Sequence, residues 1–178
     1  MNRGHIQNLL GEAARLTNHR DYVIIGSLSV LGAVASPPET MVFSIDVDLY
    51  PKNDPGRISE IASQLGLGSD FEQRHGYYAD VVSPMLPTLP EGWQQRLISL
   101  TFENGVTAWF LEPNDAAISK YVRAEPRDRE WIWAGLQSDI LSAAAIEYRM
   151  RETTMESDER ARAKHAFAED QVRLNTNG

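Results

Sequence analysis

The sequence predicts an α+β fold, a mixed β-sheet with packed helices followed by a helical C-terminal part. Three observations predict it. Short β-branched runs alternate with helix-period segments as far as Leu111. From Pro113 onward the pattern is helical throughout. The 178 residues, 42% of them hydrophobic, suffice for one sizeable core without covalent staples. Residues 1–112 read as that core and residues 113–178 as a helical part of the same compact unit.

The elements follow in order. Ile6, Leu9, Leu10, Ala13 and Leu16 recur at helical spacing and predict a helix over 4–18. Tyr22-Val23-Ile24-Ile25 is a wholly apolar run that reads as a buried strand ending at Gly26-Ser27. Leu28 to Ala35 reads as a helix that stops before Pro37-Pro38. Val42 to Tyr50 alternates, with Ile45, Val47 and Leu49 facing one way and Ser44, Asp46 and Asp48 the other. Arg57 to Leu65 predicts a helix, and Tyr77 to Val82 a strand. Pro84, Pro87 and Pro90 impose an extended loop. Glu103-Asn104-Gly105 is the turn of a hairpin between Leu97–Phe102 and Val106–Leu111. Pro113 and Pro126 each fit the first turn of a helix. A further helix runs from Ala143 to about Met150, and Glu152 to Asp170 reads as a charged, solvated helix.

Composition removes several classes of function. The chain has no cysteine, so disulfides, thiolate zinc sites and cysteine nucleophiles are excluded. No apolar run approaches the roughly 20 residues of a membrane span. The N-terminus lacks an apolar signal region. The expectation is a soluble, cytoplasmic protein with no membrane partner. A net charge of −8 opposes broad, non-specific nucleic-acid binding but leaves room for a local basic patch. The histidines His5, His19, His75 and His165 show no zinc-protease spacing. No nucleophile elbow and no Walker loop is present. Trp93, Trp109, Trp131 and Trp133 read as core or interface residues.

The chemistry concentrates in Asp46-Val47-Asp48. Two carboxylates two apart on a strand project from one face, about 6–7 Å apart at the backbone. They repel unless a cation lies between them, and hard oxygen ligands suit Mg²⁺ or Mn²⁺. Two solvated aspartates on an exposed strand are the plain alternative, weakened because strands disfavour aspartate. Gly26-Ser27 closes a strand and opens a helix, a place where phosphate oxygens can approach the backbone closely. Its plain alternative is a tight turn with Ser27 as N-cap. Lys120, on a predicted helix after Asp115, can reach a triphosphate as a point charge. Arg149, Arg151, Arg160, Arg162 and Lys164 form a basic strip for RNA, or simply pair with Glu152, Glu156, Asp158 and Glu159.

Ile25-Gly26-Ser27 followed by Asp46-Val47-Asp48-Leu49 resembles the signature of the DNA-polymerase-β-like nucleotidyltransferase superfamily. Leu111-Glu112-Pro113-Asn114-Asp115 through Lys120 to Arg127-Asp128 resembles blocks of its abortive-infection toxin branch, which includes toxins of bacterial toxin–antitoxin systems. Val47 to Pro51, Gly76-Tyr77-Tyr78 and Leu89 to Trp93 are similar to segments of small bacterial nucleotidyltransferase-like proteins. The 18 residues between Ser27 and Asp46 exceed the usual gap.

The resemblance implies a nucleotidyltransferase fold and an Mg²⁺- or Mn²⁺-dependent transfer of a nucleoside monophosphate from an NTP to a hydroxyl. The acceptor it implies is a tRNA 3′ end or a protein, with an antitoxin protein as a further partner. By the same resemblance Gly26 and Ser27 hold phosphates and Asp46 and Asp48 bind metal. Asp80, on the Tyr77–Val82 strand, is the candidate third carboxylate. Lys120 neutralises the triphosphate and Asp128 supports the site. The alternative is a non-catalytic nucleotide- or partner-binding module with this fold.

Overall fold

The computed structural model describes residues 1–177. Helix α1 spans Arg3–Thr17, and its apolar stripe of Ile6, Leu9, Leu10 and Ala13 is fully buried. Asn2 caps it by accepting the His5 amide, and left-handed Asn18 closes it. Strand β1 (Asp21–Ile24) follows, buried from Tyr22 onward. Strands β2 (Asp46–Pro51), β3 (Tyr78–Val81), β4 (Ile98–Thr101) and β5 (Thr107–Phe110) complete a five-stranded sheet in the order β3-β2-β1-β5-β4. β1 runs antiparallel to β2 and parallel to β5, β2 runs parallel to β3, and β4 and β5 form the expected hairpin.

The sequence expectations fail at three places in the sheet-bearing part. The helix expected over 28–35 is a 3₁₀ turn, Ser27–Ser29, followed by a single α-turn, α2 (Val30–Ala33). So short a piece carries little macrodipole. β2 starts at Asp46 rather than Val42, because Ile45 is 52% exposed and stands outside the sheet. Helix α3 (Ser59–Leu65) is present, but α4 (Asp70–His75) was not expected, since its six residues hold only one buried apolar side chain, Phe71.

The C-terminal helices are α5 (Pro113–Arg123), α6 (Pro126–Gln137), α7 (Ala143–Arg151) and α8 (Ser157–Asn177). Pro113 and Pro126 occupy first turns, where a missing N–H costs nothing. α5 packs against α6, α7 and α8, and it touches the 3₁₀ turn that follows β1. α8 is not simply solvated: Ala163, Ala166, Phe167 and Asp170 are buried. α5 is thereby held between the sheet's first turn and the end of the chain. Among the described residues no helix is long and apolar enough to cross a membrane.

Candidate active site

The site begins where β1 leaves the sheet. Ile25 donates its amide to the Asp48 carbonyl at 3.0 Å, which keeps the departing chain beside β2. Gly26 then adopts φ 68°, ψ −157°, a conformation that side-chain-bearing residues avoid. A Cβ at this position would lie 1.8 Å from Asp48 Oδ2. Glycine is thus required twice, for the backbone angle and for the acid that lies against it.

β2 presents Asp46 and Asp48 on one face because Val47 and Leu49, both 0% exposed, are committed to the core on the other. The parallel register sets Asp48 opposite Asp80 and Asp46 opposite Tyr78. Asp46, Asp48 and Asp80 each offer one carboxylate oxygen within 4.8 Å of the other two. Burial, with repulsion from Asp46 and Asp80, pushes the Asp48 carboxyl up to about 7, against the pull of Arg123 and Lys120. Burial and Asp46 likewise raise the Asp80 carboxyl. The Ser44 hydroxyl donates to Asp46 Oδ1. Three hard oxygen donors on two adjacent strands fit Mg²⁺ or Mn²⁺. A divalent cation would remove the mutual repulsion that holds two of these acids toward their neutral form.

Positive charge faces the acids from α5. Lys120 is 3% exposed, and its Nζ donates to Ser27 Oγ at 2.9 Å and to Asp128 Oδ1 at 3.0 Å. The same Nζ lies 4.9 Å from the centroid of the Trp131 ring. Burial lowers the Lys120 pKa, and Asp128 opposes that shift. One turn further along α5, Arg123 donates from Nε to Asp128 Oδ2 at 3.0 Å and from Nη2 to Oδ1 at 2.6 Å. Burial works to raise the Asp128 carboxyl, but Arg123 and Lys120 override it and hold the group below its ordinary value. Trp131 donates from Nε1 to the carbonyls of Ser27 and Met41, both at 3.1 Å. A cleft of about 260 Å³ is lined by Gly26, Asp48, Lys120 and Arg123 together with Leu86 and Pro87. A second cleft of about 500 Å³ lies beyond Ser27 and is lined by Phe43, Ser44, Arg127 and Trp131.

The fold brings together Gly26, Ser27, Asp46, Asp48, Asp80, Lys120 and Asp128, although they come from five separate segments of chain. Arg123, Ser44 and Trp131 join them without having been expected. Arg123 stands three residues after Lys120, a spacing that places two side chains on one helical face and that could have revealed it. Asp115 lies elsewhere: it is fully buried and bonded to Arg96 and Arg149. Three of the five residues of the basic strip expected on the C-terminal helices bond to groups of the chain itself, while Arg151 and Lys164 are exposed. Arg149 binds Glu112 and Asp115, Arg160 donates to the Thr153 carbonyl, and Arg162 donates to the Val122 carbonyl.

A glycine turn set against three clustered aspartates on a mixed sheet, with helix-borne cations opposite, defines a site of the nucleotidyltransferase class. The chain matches over residues 4–174 the model of a family described as nucleotidyltransferase of unknown function, DUF6036, and it belongs to that family. No curated protein and no solved structure matches the chain.

Proposed function

We infer that the chain transfers a nucleoside monophosphate from an NTP to a hydroxyl. One observation carries this reading: three aspartate oxygens within 4.8 Å of one another on β2 and β3, in a member of a nucleotidyltransferase family. In the reaction the acceptor oxygen bonds to the α-phosphorus, the bond to the pyrophosphate oxygen breaks, and the acceptor proton passes to solvent.

Asp46, Asp48 and Asp80 are the residues that would hold Mg²⁺ or Mn²⁺, which supplies hydroxyl activation and charge neutralisation when bound. Gly26 lets the Asp48 carboxylate lie directly against the turn and lines the cleft beside it, where a phosphate would be received. Ser27 Oγ accepts from Lys120, so its own proton remains available to donate to a phosphate oxygen. Arg123 presents positive charge to the cleft that Asp48 lines, and Asp128 holds both Arg123 and the buried Lys120. The protein's share of the catalysis is chiefly positioning and electrostatics.

The acceptor is a hydroxyl of RNA, such as a tRNA 3′ end, or of a protein. Label transfer tests both together. Radiolabelled NTPs and Mg²⁺ are incubated with total RNA or with cell lysate, and label in either fraction identifies the acceptor. The D46A/D48A double variant should transfer nothing. Wild-type activity in that variant would overturn the assignment of these acids. NTP binding without transfer would favour the binding-module alternative. Growth arrest on expressing the wild type but not the double variant would mark the activity as that of a toxin.

A further inference from the structure

Two cations face the aspartate cluster, and they differ in what remains free. The Lys120 ammonium has three N–H donors. One goes to Ser27 Oγ, one to Asp128 Oδ1, and the third edge of the group rests against the Trp131 ring. The residue is 3% exposed, so a ligand reaches it only by displacing one of these partners. Arg123 is placed differently. Its side chain is 55% exposed, while the carboxylate it grips is 5% exposed. Asp128 fixes the guanidinium through Nε and Nη2. Among the described residues Nη1 donates to no protein group, and Arg123 and Asp48 line the same cleft.

Arginine suits this position for chemical reasons. A guanidinium has five donors in a rigid fork, so it can be held by one carboxylate and still present N–H groups to a second anion. A lysine spent on two oxygens and a ring has nothing left to present. Both side chains line the cleft with Gly26 and Asp48, but Arg123 is 55% exposed there and Lys120 only 3%.

We propose that Arg123 is the residue that contacts the triphosphate of the bound NTP, and that Lys120 is a positioning residue that ties the Gly26–Ser27 turn to α5 and α6. This assignment rests on the nucleotidyltransferase reading above. It moves to Arg123 a role that the motif pattern gives to Lys120.

The test uses the full chain with Mg²⁺ and inorganic tripolyphosphate, a probe that reports the phosphate subsite whatever base the enzyme prefers. Binding is measured by calorimetry, with inorganic phosphate as the comparison anion. Arg123→Gln should weaken tripolyphosphate binding by about tenfold or more, with little effect on inorganic phosphate. It also lowers Tm, because the buried Asp128 loses two donors, so binding is read below the variant's unfolding transition. Arg123→Lys should recover part of the loss, because a point charge replaces a fork. Lys120→Met should lower Tm and leave tripolyphosphate affinity within about threefold.

Arg123→Gln with wild-type affinity would overturn the assignment, as would a folded Lys120→Met that loses affinity as far as Arg123→Gln does. Should Lys120→Met fail to fold, the two Arg123 variants still decide, because that side chain is half exposed. A wild-type chain that binds neither tripolyphosphate nor any NTP in Mg²⁺ would instead sink the functional reading itself, which distinguishes the two failures.

Discussion

Two residues carry opposite demands in one contact. Gly26 gives way so that Asp48 can lie against its backbone, and Asp48 occupies a place where burial and two acids oppose its ionisation. Gly26→Ala therefore combines a left-handed backbone strain with a 1.8 Å overlap. We expect it to cost about 1–3 kcal/mol in urea unfolding and to abolish label transfer, since the overlap must displace the Asp48 carboxylate. Transfer at wild-type rate would show that this acid can move without consequence.

Asp48→Asn yields a pH signature in the metal-free protein. The ordinary carboxyl value is 3.8 and the folded value about 7, so between these limits the native state holds a proton that the unfolded chain has lost. Stability conferred by that extra proton is lost as pH rises through this window. The asparagine has no such loss. Its stabilisation over wild type in EDTA should be absent near pH 4, grow toward pH 7 and level off above it, reaching at most about 4 kcal/mol. A Tm difference that is flat with pH would show that the cluster costs nothing.

At the scale of elements, α5 holds the site's cations and is itself held by a polar knot at its N-terminus. Glu112 caps it by accepting the amides of Asn114 and Asp115. Asp115, with no exposed surface, accepts from Arg96 at 2.8 and 3.2 Å and from Arg149 at 3.0 Å. This joins α5 to α7 and to the segment before β4. Removing one partner of such a set leaves buried charge uncompensated, so Asp115→Ala should cost about 3–5 kcal/mol in denaturant unfolding. A cost below about 1 kcal/mol would mean the arginines find solvent freely.

Legibility also divides at this scale. β1, β2 and the C-terminal proline-led helices were readable because their apolar periods and proline positions are local. Asp80 was readable because it falls on a strand that could lie beside the Asp46 strand. The short helix α4 was not, although Ser69 and Gly76 cap it in the expected way, because six residues cannot display a helical period. Ile45 misled, since an alternating pattern cannot say where pairing stops. The bond from Lys120 to Ser27 spans 93 positions, and Arg123 acquires its role only through Asp128 on the next helix. No periodicity encodes the first, and the three-residue spacing that puts Arg123 on the face of Lys120 does not reveal Asp128 as its partner.

In the whole molecule, the sheet brings the acids and the helical part brings the cations, and α8 fixes the cation-bearing helix α5 to α6. Tyr121 donates to Asp170 at 2.8 Å, Arg129 donates to the same carboxylate at 2.7 Å, and Tyr121 packs edge-on against Phe167. The parallel pairing of β2 with β3 keeps three acids close together, which leaves the metal-free protein below its attainable stability. A ligand that binds only the folded state raises stability by RT ln(1 + [L]/Kd), or about 2.7 kcal/mol at a hundredfold excess over Kd. For a chain of this size that corresponds to a Tm rise of about 5–10 °C. Mn²⁺ or Mg²⁺ should produce such a rise in the wild type at pH 8, and Ca²⁺-free EDTA should reverse it. In the D46A/D48A variant the metal-free Tm should start higher, because the repulsion is gone, and metal should add nothing. A rise of equal size in both proteins would place the bound ion somewhere other than β2 and β3.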